Sequence, residues 1–229
     1  MRKIQRLAAV GAMAALTITL GACSSAETPA ADAPAEVPAD APEVPGAKDP
    51  TTPSTTGVTQ ISDIFGSACS QVPTEGEGSA QGMVDDPVAT AASNNPLLTK
   101  LTAAVAAAEL SDDLNSAEAI TVFAPADTAF QDLETKTPGI TNQLTTDPNV
   151  ASADSQLSQI LKYHVVEGRY DAAGLVKAGS VDSLQGGKVT IAGTEAAPTV
   201  NGAQVLCGNI PTKNATVFVI GEVLSPPAS

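Results

Sequence analysis

Between residues 95 and 224 the apolar positions fall into two patterns, one repeating at helical spacing and one gathered in short β-branched runs. Leu97, Leu98, Leu101, Val105 and Ala108 recur every three or four residues and predict a helix, with Asn95 as its cap and Pro96 at its first position. A second helix is expected from Asp154 through Leu157, Ile160 and Leu161. The runs Ile120–Ala124, Val165–Val166, Lys188–Ala192, Gln204–Leu206 and Thr216–Val223 read as strands. Pro125 stops the first run, and Asp127 is placed to cap a helix whose early turns carry Phe130 and Leu133. Gly186-Gly187 predicts a hairpin turn ahead of the alternating Val189 and Ile191. The stretch 71–92, broken by Gly76, Gly78, Gly82 and Pro87, predicts mostly loop with one short helix. Helices grouped before strands predict an α+β fold.

The N-terminal pattern is different in kind. Arg2, Lys3 and Arg6 precede an uncharged apolar run, Leu7 to Leu20, too short to span a bilayer comfortably. It ends in Leu20-Gly21-Ala22-Cys23, the form of a bacterial lipobox, so residues 1–22 are expected to be a lipoprotein signal peptide and Cys23 the lipidated residue. Two or three acyl chains anchor a protein stably, at about 0.8 kcal/mol per buried methylene. Residues 23–57 then read as a disordered stalk. From Ser24 to Gly57 there are seven prolines, six acidic residues, one lysine and no aromatic residue, too little apolar surface to offset the entropy of ordering. As polyproline II, at about 3.1 Å per residue, it would reach on the order of 100 Å. Thr51, Thr52, Thr55 and Thr56 beside Pro50 and Pro53 suit O-glycosylation, with an unmodified spacer as the alternative.

Without the signal segment the chain holds eight basic against 25 acidic residues, a net charge of −17. No basic cluster follows residue 6, which excludes nucleic acid as a partner and electrostatic docking on anionic lipid. Setting Cys23 aside leaves Cys69 and Cys207, an even pair in an exported chain, which reads as one disulfide. A catalytic or metal-binding cysteine is the rival reading, and a single histidine leaves it no ligand set. Residues 58–227 are long enough for one domain with a real core.

Three segments, in order and spacing, carry a resemblance. They are Ile120-Thr-Val-Phe-Ala-Pro-Ala-Asp-Thr-Ala-Phe130, then Leu161-Lys-Tyr-His-Val-Val166, then Asn214-Ala-Thr-Val-Phe-Val-Ile220 running on to Val223-Leu-Ser-Pro-Pro227. This triplet resembles the fasciclin-type (FAS1) domain of cell surfaces and extracellular matrix. The short run Cys207-Gly-Asn-Ile210 resembles the exported FAS1 antigens of mycobacteria and related actinobacteria. The resemblance implies one wedge-shaped domain of two small β-sheets with helices along one side. It also implies that Tyr163 and His164 are chiefly architectural, with a role in presenting an adhesive surface as the alternative. Asn209 and Ile210 fall where some animal members carry an integrin-binding Asp-Ile pair, and an amide cannot complete an integrin metal site. Those four residues form the candidate contact surface.

Catalytic chemistry has little to work with. There is no Gly-x-Ser-x-Gly, no phosphate-cradling Gly-x-x-x-x-Gly-Lys and no His-Glu-x-x-His. Any triad would have to use His164. Asp85-Asp86 and Asp112-Asp113 read as loop charge or helix caps rather than an acid–base pair. No enzyme, metal or cofactor is expected. Asn214-Ala215-Thr216 matches an N-glycosylation sequon that a bacterial lipoprotein would rarely use. The leading reading is a lipid-anchored protein on the outer face of the cell membrane, with shedding as a further route. Its FAS1 domain would contact a protein partner on a host, a matrix or a neighbouring cell. The alternative is carriage of a small apolar ligand or lipid, in a groove lined by Phe65, Phe123, Phe130 and Phe218.

Overall fold

Two strands frame the domain. Ile120–Pro125 (β1) and Ala215–Ile220 (β7) are buried at every position and run parallel, registered from Ile120–Ala215 to Pro125–Ile220. Their sequences, ITVFAP and ATVFVI, lack the apolar–polar alternation of a half-exposed strand, as a strand covered on both faces requires. The computed structural model describes residues 57–227. The signal segment 1–22, Cys23, the stalk up to residue 56 and its threonines 51, 52, 55 and 56 lie outside the described residues.

Val165–Glu167 (β2) pairs with the outer edge of β1. On the other side of β7 follow Ala203–Pro211 (β6), Ala197–Val200 (β5), Lys188–Thr194 (β4) and Ser180–Asp182 (β3), all antiparallel to their neighbours. Val166 then bridges Ser183, and the Leu184 amide donates to the Val165 carbonyl at 2.7 Å, so the two ends of the sheet meet. The fold is α+β as expected. In place of two small sheets, however, the described strands form one mixed, nearly closed sheet of seven. The physical reason lies in β6, whose register shifts between Val205 and Cys207 and again between Cys207 and Ile210. Bulges of this kind bend a strand and raise its twist, which lets one sheet curl round. The predicted hairpin is present, Asp182 opposite Lys188, with Gly186 at φ 96° in its turn.

The helices are Ala80–Met83 (α1), Val88–Ser93 (α2), Thr99–Ala107 (α3), Ser111–Ser116 (α4), Asp127–Lys136 (α5), Ile140–Thr146 (α6), Gln156–Tyr163 (α7) and Ala172–Ala178 (α8). The segment expected to be mostly loop thus holds α1 and most of α2. Helix α3 starts three residues later than the Asn95-Pro96 signal implies. Asn95 is buried and spends its Oδ1 on the Leu97 amide at 3.0 Å, making a local turn. Asp127 corrects a second expectation. It occupies the first position of α5, and its carboxylate accepts from the Lys100 amide at 2.8 Å and from the Thr99 hydroxyl, capping α3 across space. Helix α7 starts at Gln156, two residues after the expected Asp154, and Ser155 caps it, accepting from the Ser158 amide at 3.0 Å.

Alternate residues of the central strands feed two cores. Ile120, Val122, Ala124, Val217 and Val219 pack with Leu101, Val105, Leu157 and Leu161 of the helices. Phe123, Phe218 and Ile220 point the other way, to Val166, Leu175, Val189 and Val200 inside the curl, with the two phenylalanine centroids 6.0 Å apart. The N-terminal segment is pinned to β6. Cys69 and Cys207 form a disulfide across 138 residues with Cα atoms 5.0 Å apart. Phe65 and Gly208 exchange backbone hydrogen bonds of 3.3 and 2.8 Å. A Cβ at position 208 would lie 2.5 Å from the Phe65 ring, so only glycine admits it.

Closing so long a loop restricts the unfolded chain. Replacing both cysteines by alanine is expected to lower stability by about 2–5 kcal/mol, read as a lower urea midpoint at unchanged slope. An unchanged midpoint would show that Phe65, Gly208 and their neighbours hold this edge without the bridge.

Candidate functional site

Helix α7 ends in the two side chains expected to mark a surface. His164 is 2% exposed, and its ring joins three elements. Nδ1 lies 2.8 Å from the Ile160 carbonyl, and Nε2 accepts from the Leu224 amide at 3.0 Å. A backbone amide can only donate, so Nε2 is unprotonated and the proton sits on Nδ1. The His164 carbonyl accepts from the Phe123 amide at 2.8 Å, fastening α7 to β1. Tyr163 is equally buried. Its hydroxyl donates to the Lys188 carbonyl at 2.8 Å and accepts from the Asn201 amide at 2.7 Å. Ile210 is 2% exposed in the first core. Asn209 is partly exposed, but its Oδ1 accepts from the Ala172 amide at 2.9 Å and its Nδ2 donates to the Asp63 carbonyl at 3.1 Å. The contact surface expected from Tyr163, His164, Asn209 and Ile210 is therefore corrected. Three of the four are interior, and the fourth has its amide committed within the fold.

The sequon resolves in the same way. Asn214 is 7% exposed; Oδ1 accepts from the Val88 amide at 2.9 Å, and Nδ2 donates to the Leu114 and Ala117 carbonyls at 2.8 Å each. One side chain thus satisfies the start of α2 and the end of α4, two places where helices leave backbone groups unpaired. Arg169 works nearby, its Nη2 donating to the Thr212 and Ala215 carbonyls at 2.9 and 2.7 Å while burial pushes its pKa down. Its Nε is buried without a partner.

Between α2, α3 and α4 on one side and β1, β2 and α7 on the other lies an open cleft of about 540 Å³. Val122 and Val165 supply its floor, Phe123 borders it with its ring packed in the second core, Leu101, Val105, Leu110 and Leu114 form its helical walls, and the exposed Leu184 stands on the lining. The lining carries two charged residues, Lys162 and Asp113. His164 also borders the cleft. Both of its ring nitrogens are committed to backbone groups. Of the four phenylalanines expected to line a groove, only Phe123 does. Phe218 is core, Phe65 covers Gly208, and Phe130 borders a separate void of about 20 Å³. The walls come instead from residues 88–117, where small alanines between the larger aliphatics form one face only once three short helices converge. Among the described residues, no group of three or more His, Cys, Asp and Glu side chains could hold a metal ion.

Burial lowers the His164 pKa to about 4 from its ordinary 6.5, against a smaller upward pull from the Ile160 carbonyl. The unfolded chain therefore binds the extra proton below pH 6.5 and the folded chain does not until about pH 4. Stability is unaffected by this group above pH 6.5 and falls as pH drops from 6.5 to 4, by on the order of 3 kcal/mol in total. His164→Asn is expected to flatten the stability profile over that window, measured by urea unfolding at pH 7, 5.5 and 4.5. A profile as steep as the parent's would assign the slope to carboxylates instead. Asn214→Ala, which strands buried groups of α2 and α4, is expected to cost about 3 kcal/mol, measured the same way.

The family model described as Fasciclin domain matches residues 96–226. The chain is 38% identical over 232 residues to the cell surface glycolipoprotein MPB83 of Mycobacterium bovis, a match spanning 96% of each chain. It is 43% identical over 175 residues to the immunogenic protein MPB70 of the same species, covering 72% of this chain and 84% of that one. Among solved structures it resembles a FAS1 domain pair from the insect cell adhesion molecule Fasciclin I. That likeness has a TM-score of 0.54 at 18% identity and covers 62% of this chain and 52% of the other; it speaks for the fold alone. Strand frame, buried Tyr-His pair and these matches together assign the chain to the Fasciclin (FAS1) domain family.

Proposed function

We propose that this chain is exported, acylated at Cys23 and displayed at the outer face of the cell membrane on the stalk of residues 23–57. There its single FAS1 domain, residues 58–227, makes non-catalytic contacts with a protein partner. The observation that carries this reading is the reach of the likeness. Identity to a protein named as a cell surface glycolipoprotein extends over 96% of both chains and so takes in the N-terminal segment, lipobox included. The chemistry of the domain supports the non-catalytic half. Its one histidine is neutral, buried and hydrogen-bonded at both nitrogens, and its domain cysteines are joined as a disulfide. Threonines 51, 52, 55 and 56 are the proposed O-glycosylation sites of the stalk.

The test follows the anchor and the contact separately. Cys23→Ala is expected to abolish incorporation of labelled palmitate and to prevent maturation of the chain. A variant that still takes up label and fractionates like the parent overturns acylation at Cys23. Beads coated with the full chain are expected to adhere to host cells or matrix above uncoated beads. Equal adherence would remove the contact role and leave the anchor standing.

A further inference from the structure

We infer that the cleft between α2, α3, α4 and the β1–β2 edge is a binding site for one straight acyl chain, recognised along its length and not by its head. The argument rests on what the lining offers and what it withholds. A volume of about 540 Å³ lies within the roughly 300–1,000 Å³ of small-molecule sites. Its floor and walls are aliphatic, and the one phenylalanine on the lining, Phe123, packs its ring in the second core. A flat aromatic ligand thus finds little to stack on.

The polar residues of the lining are mostly committed. The Thr102 hydroxyl donates to the Thr99 carbonyl at 3.0 Å and the Ser93 hydroxyl to the Thr90 carbonyl at 2.7 Å. The Asn115 Oδ1 accepts from the Ala89 amide at 2.9 Å. His164 is neutral, with both ring nitrogens bonded. A sugar or peptide would bury its own polar groups there without partners, which is costly. The charges select no head group. Lys162, which gives one of its three donors to the Ala153 carbonyl at 3.2 Å, is offset on the lining by the acidic Asp113. The match is to a neutral, flexible, unbranched hydrocarbon. A rigid ring system would need an orienting contact that the walls lack. The chain can come from a free fatty acid or from a membrane lipid.

The experiment uses the full chain carrying Cys23→Ser, so that acyl groups of its own cannot compete. Equilibrium binding of radiolabelled hexadecanoic acid is measured in the absence of detergent, with unlabelled alcohols as competitors. One site is expected per chain. Affinity should rise by about tenfold for every two methylenes from decanol to tetradecanol, and hexadecanol should compete as well as the acid. Ala106→Trp, at an exposed helical position on the lining, should abolish binding with an unchanged unfolding midpoint, and Ala106→Ser should retain it. A phosphatidylcholine vesicle arm distinguishes the sources. Extraction of labelled lipid by the chain assigns a membrane lipid, and uptake of the free acid alone assigns a fatty acid. The inference is overturned by non-saturable binding, by binding that survives Ala106→Trp, or by competition from the acid without the alcohol.

Discussion

The domain depends on one pairing, the parallel alignment of β1 with β7. Parallel neighbours cannot be joined by a turn, so the chain between Ile120 and Ala215 must leave, build most of the domain and return in register. A buried strand arriving late has many ways to pair wrongly, and a slip by one residue would exchange the two cores. Polar groups around both strands prevent it. Thr216 donates to the Gly57 carbonyl at 2.9 Å, and Thr121 to the Gly168 carbonyl at 2.8 Å. Arg169 clamps the turn that precedes β7, and His164 ties β1 to the tail that follows it. These groups are buried or half-buried, costly if left unpaired and therefore selective for the one register that pairs them.

The cleft is a consequence of the same pinning. Asn214, adjacent to β7, draws in the end of α4 and the start of α2, and Asn115 fastens those two helices to each other. They are held at their ends by hydrogen bonds while their inward faces carry alanines too small to reach the sheet. Protein interiors ordinarily pack to crystal-like density, and a missing methyl group leaves a void far smaller than this one. Here the backbone of three helices is fixed at a distance that its side chains do not fill. Lengthening Ala89, Ala92, Ala106 or Ala117 would close the space without disturbing the hydrogen bonds that hold it open.

Strands β1, β2, β4 and β7 were legible because their apolar runs are unbroken or alternate cleanly. Strands β3 and β5 were not, because β3 sets a single valine between polar residues and β5 carries a proline. Helix beginnings misled for a shared reason. A capping carboxylate can serve a helix remote in sequence, as Asp127 does for α3, and a cap-like asparagine can turn back on its own backbone, as Asn95 does. The cysteine pair could be read by counting. The burial of Tyr163 and His164 agreed with their architectural reading, while their use as a surface failed because each polar tip finds its partner inside. The cleft left no mark in the sequence. Its lining is scattered from Val88 to Leu184, and alanines in helices normally signify close packing.

Charge links the domain to its surroundings. With 25 acidic against 11 basic residues the chain gains nothing from an anionic bilayer, so attraction to a membrane has to come from hydrocarbon. The acylated Cys23 would supply it outside the fold, and the ligand inferred for the cleft would bring the same chemistry within it. Neither asks anything of a headgroup. An acyl chain entering the cleft would press against α3 and α4 beside His164, which joins α7 to β1 and to Leu224. Occupancy of the cleft would then add apolar contacts across the helix–sheet junction and raise the stability of the domain.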